Sequence, residues 1–168
     1  ETARILHAAG IGAEWLDCTV RQGTSQNDAA CDRPSGPPDL ILRILPKSMA
    51  ARLLFRNITL GFAWLTEEGG YGFVAGILYH KVESVAEERR TLRYHVLSHA
   101  MAHEIGHLLL RTLNHSAAGL MRAHWTPGDL HEASRGQLPF TPQEGARLRA
   151  EVRARASAES PLEEGRRP

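Results

Sequence analysis

Apolar residues along this chain fall into dense runs separated by turn-forming residues, and the period of the runs changes from one to the next. Residues 2–9 turn Ile5 and Leu6 to one side and are followed by Gly10 and Gly12, which predicts a short amphipathic helix ended by glycine. Residues 14–20 read as a strand, and residues 22–38, rich in Gly, Ser, Asn, Asp and Pro, read as a loop. The dense apolar run over residues 39–45 predicts a buried strand, followed by a helical turn within 46–55. A further strand is expected over 58–65, a turn at 67–70, and another strand over 71–85 whose regularity Gly72 and Gly76 interrupt.

The next pattern is helical. Residues 89–111 predict a long helix; from Arg93 onward it has no Pro, a single Gly at Gly106, and apolar residues at Val96, Leu97, Ala100, Met101, Ile105, Leu108 and Leu109, so it should be mostly buried. Residues 125–139 read as irregular. Thr141, Pro142 and Glu144 form a capping box that opens a helix over 142–156, and residues 157–168 read as a disordered tail. Helix, strands, long helix, irregular return and closing helix make an α+β order, in one domain covering residues 1–156.

Composition narrows the function. A net charge of +1 over 168 residues gives no electrostatic case for nucleic acid or a membrane surface, and no apolar run is as long as a membrane span. The arginines at 147, 149, 153 and 155 alternate with Glu144, Glu151 and Glu159 and read as a solvated helix face. No signal peptide is visible, so the chain reads as a mature or trimmed form. A monomer is expected. Cys18 and Cys31 flank a polar loop. In a secreted protein they would close it as a disulfide, worth about 3 kcal/mol in the chain-entropy model; otherwise they are two unpaired buried thiols.

The chemistry concentrates in His103-Glu104-Ile105-Gly106-His107. Two histidines four apart stand on one helix face and can grip one zinc ion, and the glutamate between them is held where it can take a proton from a water at the metal. The same face carries His95 and His99, which read as polar residues toward the solvent-facing start of the helix. A catalytic zinc takes three protein ligands and a water. His115, eight residues beyond His107, can return to the metal from past the helix end. Glu132 or Glu144 would instead make a glutamate-type site, and His124 is a further candidate.

The order His103, Glu104, His107, His115, then Gly119-Leu120-Met121, resembles the metzincin clan of zinc peptidases, and the stretch 102–125 also resembles small bacterial secreted proteins carrying AHEIGHLLL…HS…GLM…W. The resemblance implies that His103, His107 and His115 are zinc ligands, Glu104 the general base and Met121 the residue of the methionine turn. It implies an upper subdomain with a twisted mixed sheet over about residues 1–112 and a lower one over about 113–156, with zinc in the cleft between. It further implies that an extended peptide pairs with an edge strand containing Gly61, Phe62 and Ala63; the alternative is an ordinary buried strand. Three features depart from the clan. Leu110 stands where the clan has glycine, the third histidine comes two residues late, and Arg122, Ala123 and His124 replace a tyrosine that some members carry after the methionine. The function expected is a secreted or extracytoplasmic zinc metallopeptidase acting on peptide or protein substrates. The alternatives are a non-catalytic zinc-binding module, a histidine-rich metal carrier, or a glutamate-type zincin.

Overall fold

The computed structural model describes residues 1–18, 31, 36–51, 60–66 and 71–159. Among them the order is α1 (Thr2–Ala8), β1 (Ile41–Leu45), α2 (Lys47–Ala50), β2 (Gly61–Trp64), β3 (Val74–Leu78), α3 (Tyr79–Glu88), α4 (Arg93–Leu110), α5 (Pro127–Ser134) and α6 (Pro142–Glu159). This is an α+β fold with a small mixed sheet. The strand order is β1-β3-β2; β1 runs parallel to β3 with Ile41 opposite Val74, and β2 runs antiparallel to β3 with Gly61 opposite Ile77.

Helix α4 organises the molecule because apolar residues surround it. Toward the sheet, Leu108 packs with Ala63 and Ala75, while Val96 and Ala100 pack with Ile77, Val82 and Ala86. On its other side Ala102, Ile105 and Leu109 meet Ile5 and Leu6 of α1, Leu120, Met121, Phe140, and Leu148 of α6. Each fully buried Leu or Ile contributes roughly 1.5–3 kcal/mol, so these packed layers, not helix propensity, hold α4 in place.

Several expectations change. Residues 14–18 join no strand and are exposed, and 19–20 lie outside the described residues. Strand β1 forms, but at the edge of the sheet, so Ile41 and Ile44 stay 38% and 50% exposed and only Leu45 is buried. An apolar run signals a strand without saying which faces are covered. The strand expected over 71–85 ends at Leu78; beyond it the buried Val82 and Ala86 recur at helical spacing and form α3. Helix α4 starts at Arg93 rather than 89, because Arg90 takes a left-handed conformation (φ 51°) between the two helices.

The segment 125–139, expected to be irregular, holds α5. Thr126 caps it by accepting from the Asp129 N–H, Asp129 answers on the Thr126 N–H, and Pro127 takes the first helical position. Helix α6 runs to Glu159, past the expected end at 156; residues 160–168 lie outside the described residues. So do the turn at 67–70, residues 52–55, and most of the loop at 22–38.

Arg147, Arg149 and Arg153 of α6 are exposed, as a solvated face requires, but Arg155 is not. Arg147 donates to the Leu110 carbonyl (3.2 Å) and Arg149 to the Ala9 carbonyl (2.7 Å). Arg155 is 1% exposed and donates to the carbonyls of Leu108 (2.9 Å), Gly72 (3.1 Å) and Pro37 (3.3 Å), with Glu151 at 3.0 Å and the Tyr71 ring beneath its guanidinium. Carbonyls at a helix C-terminus have no partner inside the helix. Arg147 and Arg155 supply partners for two of them on α4, at the helix end where positive charge is also favoured.

Candidate metal centre

One turn of α4 separates His103 from His107, and both rings are buried on the same face. Each is held at Nδ1 by a backbone carbonyl. His103 Nδ1–H donates to Leu120 O (2.8 Å) and His107 Nδ1–H donates to Thr112 O (2.7 Å). A carbonyl can only accept, so the proton sits on Nδ1 in both rings and each Nε2 keeps a bare lone pair. Those two Nε2 atoms face each other at 3.0 Å. Two lone pairs at that separation repel, and a shared cation turns the repulsion into attraction.

The carbonyls reach the rings through two local bends. Arg111 takes the left-handed conformation (φ 52°, ψ 42°) that ends α4, and this turns the Thr112 carbonyl back toward His107. The resemblance places glycine at Leu110; here Leu110 stays helical and buried and the bend falls one residue later, on a residue with a side chain. A later bend goes with a later third histidine. The second bend is the turn at Gly119 (φ +74°), where a Cβ would lie 2.9 Å from the Pro139 carbonyl. It delivers Leu120 and Met121 under α4. The Leu120 carbonyl accepts from the Trp125 indole (3.1 Å) as well as from His103.

His115 joins the pair. Its ring stacks on His103 (centroids 5.3 Å apart) and meets His107 edge-on (4.9 Å). Ligand nitrogens of His103, His107 and His115 all lie within 4.8 Å of one another, two of the residues buried and His115 exposed. Burial is the main cause lowering the pKa of His103 to about 4; the neighbouring His107 and His115 lower it further. Burial likewise lowers His107 and His115, each also pressed down by a nearby histidine. Neutral imidazoles are the form that binds metal. Three imidazoles with room for a further ligand match an open first-row divalent site, zinc included.

Glu104 points into the same space, 5% exposed, its carboxyl raised to about 8 by burial. It lies against Gly61 of β2, where a Cβ would sit 2.9 Å from Oε1. The cleft above it has a volume of about 600 Å³ and is bordered by Gly61, Phe62, Ala63 and Trp64 on one side and by His124 and Trp125 on another. Strand β2 thus stands at an edge of the three-stranded sheet and along the cleft. Met121, 1% exposed, lies against Gly106 of α4.

Other residues weighed from the sequence go elsewhere. The 95% buried Glu144 spends its carboxylate on the Ser116 hydroxyl and the Thr141 N–H, at the start of α6. Neither it, Glu132 nor His124 belongs to the three-residue group able to hold an ion among the described residues. His99 is not at a solvent-facing helix start: it is fully buried, its Nδ1–H donating to His95 O (2.8 Å) and its ring edge-on to Trp125. Cys18 and Cys31 form a disulfide, which is compatible with an extracellular setting. No described helix is long and apolar enough to cross a membrane.

Sequence reasoning missed the carbonyls of Leu120 and Thr112, which carry no side-chain signature, the close approach of Gly61 to Glu104 and the Trp125 bond to Leu120. No family model, curated protein or solved structure matches this chain.

Proposed function

We propose that this chain is a zinc metallopeptidase with a metzincin-like fold, in which His103, His107 and His115 hold one zinc ion and Glu104 is the general base. The observation that carries the reading is the facing pair of Nε2 lone pairs 3.0 Å apart, each fixed by a carbonyl on its own Nδ1, with His115 closing the set. When bound, zinc supplies a Lewis acid that acidifies water and polarises a substrate carbonyl.

The chain's own groups supply the rest. Glu104 takes the proton of the attacking water and returns it to the leaving amine. A buried carboxyl near 8 is ready to hold that proton, and a cation in the histidine cluster lowers its pKa toward the working range. Gly61, Phe62 and Ala63 line the cleft beside Glu104, where an extended peptide would be aligned. The disulfide supports a secreted or extracytoplasmic setting for a monomeric enzyme acting on peptides or proteins.

A non-catalytic zinc module is the rival. Structural zinc sites are usually closed by four protein ligands, whereas this cluster has three and opens onto a cleft beside a buried glutamate. The deciding experiment pairs metal analysis with a peptide-cleavage assay on the parent and on Glu104→Gln. About one zinc per chain in both, with turnover lost only in the variant, supports the enzyme. Equal turnover in both removes Glu104 from the mechanism, and metal with no turnover in the parent favours the module.

A further inference from the structure

His103 and His107 are each oriented by a carbonyl on the ring, but among the described residues no hydrogen bond orients the ring of His115, which is exposed. Its position therefore depends on the backbone that carries it. The next residue, Ser116, is tied down twice: its N–H donates to the Met121 carbonyl (2.8 Å) in an isolated bridge to Arg122, and its hydroxyl donates to Glu144. Glu144 is itself fixed, 95% buried, with its other carboxylate oxygen on the Thr141 N–H (2.7 Å) and its own N–H on the Thr141 hydroxyl (3.3 Å).

We infer that the Ser116–Glu144 hydrogen bond is a latch that positions the third metal ligand: the capping box of α6 also sets where His115 stands. The inference rests on the proposed three-histidine site. A carboxylate at a helix start needs only the backbone N–H groups there, so a second bond reaching 28 residues back, to the neighbour of a ligand, has no part in capping. It links α6 to the loop that leaves α4. Ser116 and Glu144 are thus positioning residues, acting on the metal only through His115.

The test is zinc affinity, measured by competition with a chromophoric chelator, together with the visible spectrum of the cobalt-substituted protein. Ser116→Ala is expected to weaken zinc by up to about tenfold, the low end of what losing a partner bonded to a ligand costs because it acts one residue away, and to lower the intensity of the cobalt bands. Ser116→Thr keeps the hydroxyl and should restore both. In a His115→Ala background, Ser116→Ala should add nothing further, because the ligand it positions is gone.

The outcomes separate the two claims. Unchanged affinity in His115→Ala overturns the three-histidine site itself. Weakened affinity in His115→Ala with none in Ser116→Ala overturns the latch alone. The same holds if Ser116→Ala lowers only the melting temperature of the metal-free protein, or if its effect persists without His115.

Discussion

Met121 packs directly against the backbone of Gly106: a Cβ at Gly106 would lie 2.6 Å from the Met121 sulfur and 2.8 Å from the Phe140 ring. The glycine inside the histidine motif is thus what lets the turn at Leu120 and Met121 come up under α4, and that turn presents the carbonyl that orients His103. Support for His103 and packing of the core meet at one position without a side chain.

Gly106→Ala is therefore expected to hurt twice. Overpacking of a tight core contact costs typically about 1–3 kcal/mol, outweighing the helix propensity of roughly 1 kcal/mol that alanine adds. Displacing the Leu120 carbonyl should also loosen His103 and weaken zinc. Urea unfolding of the metal-free protein and chelator competition measure the two effects separately. A variant as stable as the parent with unchanged zinc affinity would show that this contact is not needed.

The pH dependence of the metal-free protein has a defined sign. Glu104 sits at about 8 in the folded chain against an ordinary value of 4.5, so the folded state keeps a proton that the unfolded state has lost, and stability falls as pH rises between those values. His103, at about 4 against 6.5, acts below 6.5: the unfolded state gains the proton first, and stability falls as pH drops. His99, His107 and His115 shift in the same direction as His103. Histidines of the unfolded chain are still half protonated at 6.5 and oppose the loss from Glu104, so the Glu104 contribution, on the order of 2 kcal/mol lost between pH 6.5 and 8, is the difference between the parent and Glu104→Gln. Denaturant unfolding of both proteins treated with chelator checks this: relative to the parent, Glu104→Gln should gain stability as pH rises. Parallel pH curves for the two proteins over that window would contradict the buried, protonated carboxyl.

Bound metal should reverse that picture. An ion that binds the folded chain only adds about 4.1 kcal/mol when free metal is a thousandfold above its dissociation constant. Because the cation also favours the ionised form of Glu104, the gain should grow from pH 6.5 to 8. Melting curves with and without zinc at several pH values measure it. A zinc-induced rise in melting temperature that is the same in His103→Ala as in the parent would place the ion elsewhere.

The parts of this molecule legible in its sequence are those written in side chains at regular spacing. His103, Glu104 and His107 can be read because the helical period alone puts them together, and the capping box at Thr141 and Glu144 because each side chain answers the other's backbone. The same signature at Thr126, Pro127 and Asp129 is equally present, so α5 was within reach of the sequence; the turn-like letters around it conceal it. Tertiary facts were not within reach. That α3 follows β3 without a break depends on Val82 and Ala86 finding α4, and the exposure of Ile41 and Ile44 depends on β1 lying outermost. The orientation of the histidines rests on the carbonyls of Leu120 and Thr112, which every residue type possesses.

Arg155 is the sharpest case of a residue misread from letters, and it makes the strongest stability prediction. In sequence it looks like one more charge on a solvated helix; in the fold it is buried with carbonyls of Leu108, Gly72 and Pro37 and the carboxylate of Glu151 around it. Its removal would leave a carboxylate 12% exposed without its cation and the Leu108 carbonyl near the end of α4 without this donor. Losing one partner of a buried ion pair costs roughly 3–5 kcal/mol, far more than the pair contributes over a well-packed apolar replacement. Arg155→Ala should therefore unfold at much lower denaturant, while Arg155→Met combined with Glu151→Leu should recover part of the loss. Lys cannot reach three carbonyls with one ammonium in the fork geometry of a guanidinium, so Arg155→Lys should also be weakened. Equilibrium unfolding of the four proteins decides it. An Arg155→Ala variant within 1 kcal/mol or so of the parent, the size of an ordinary surface substitution, would mean that the arginine does not clamp α6 to α4 in solution.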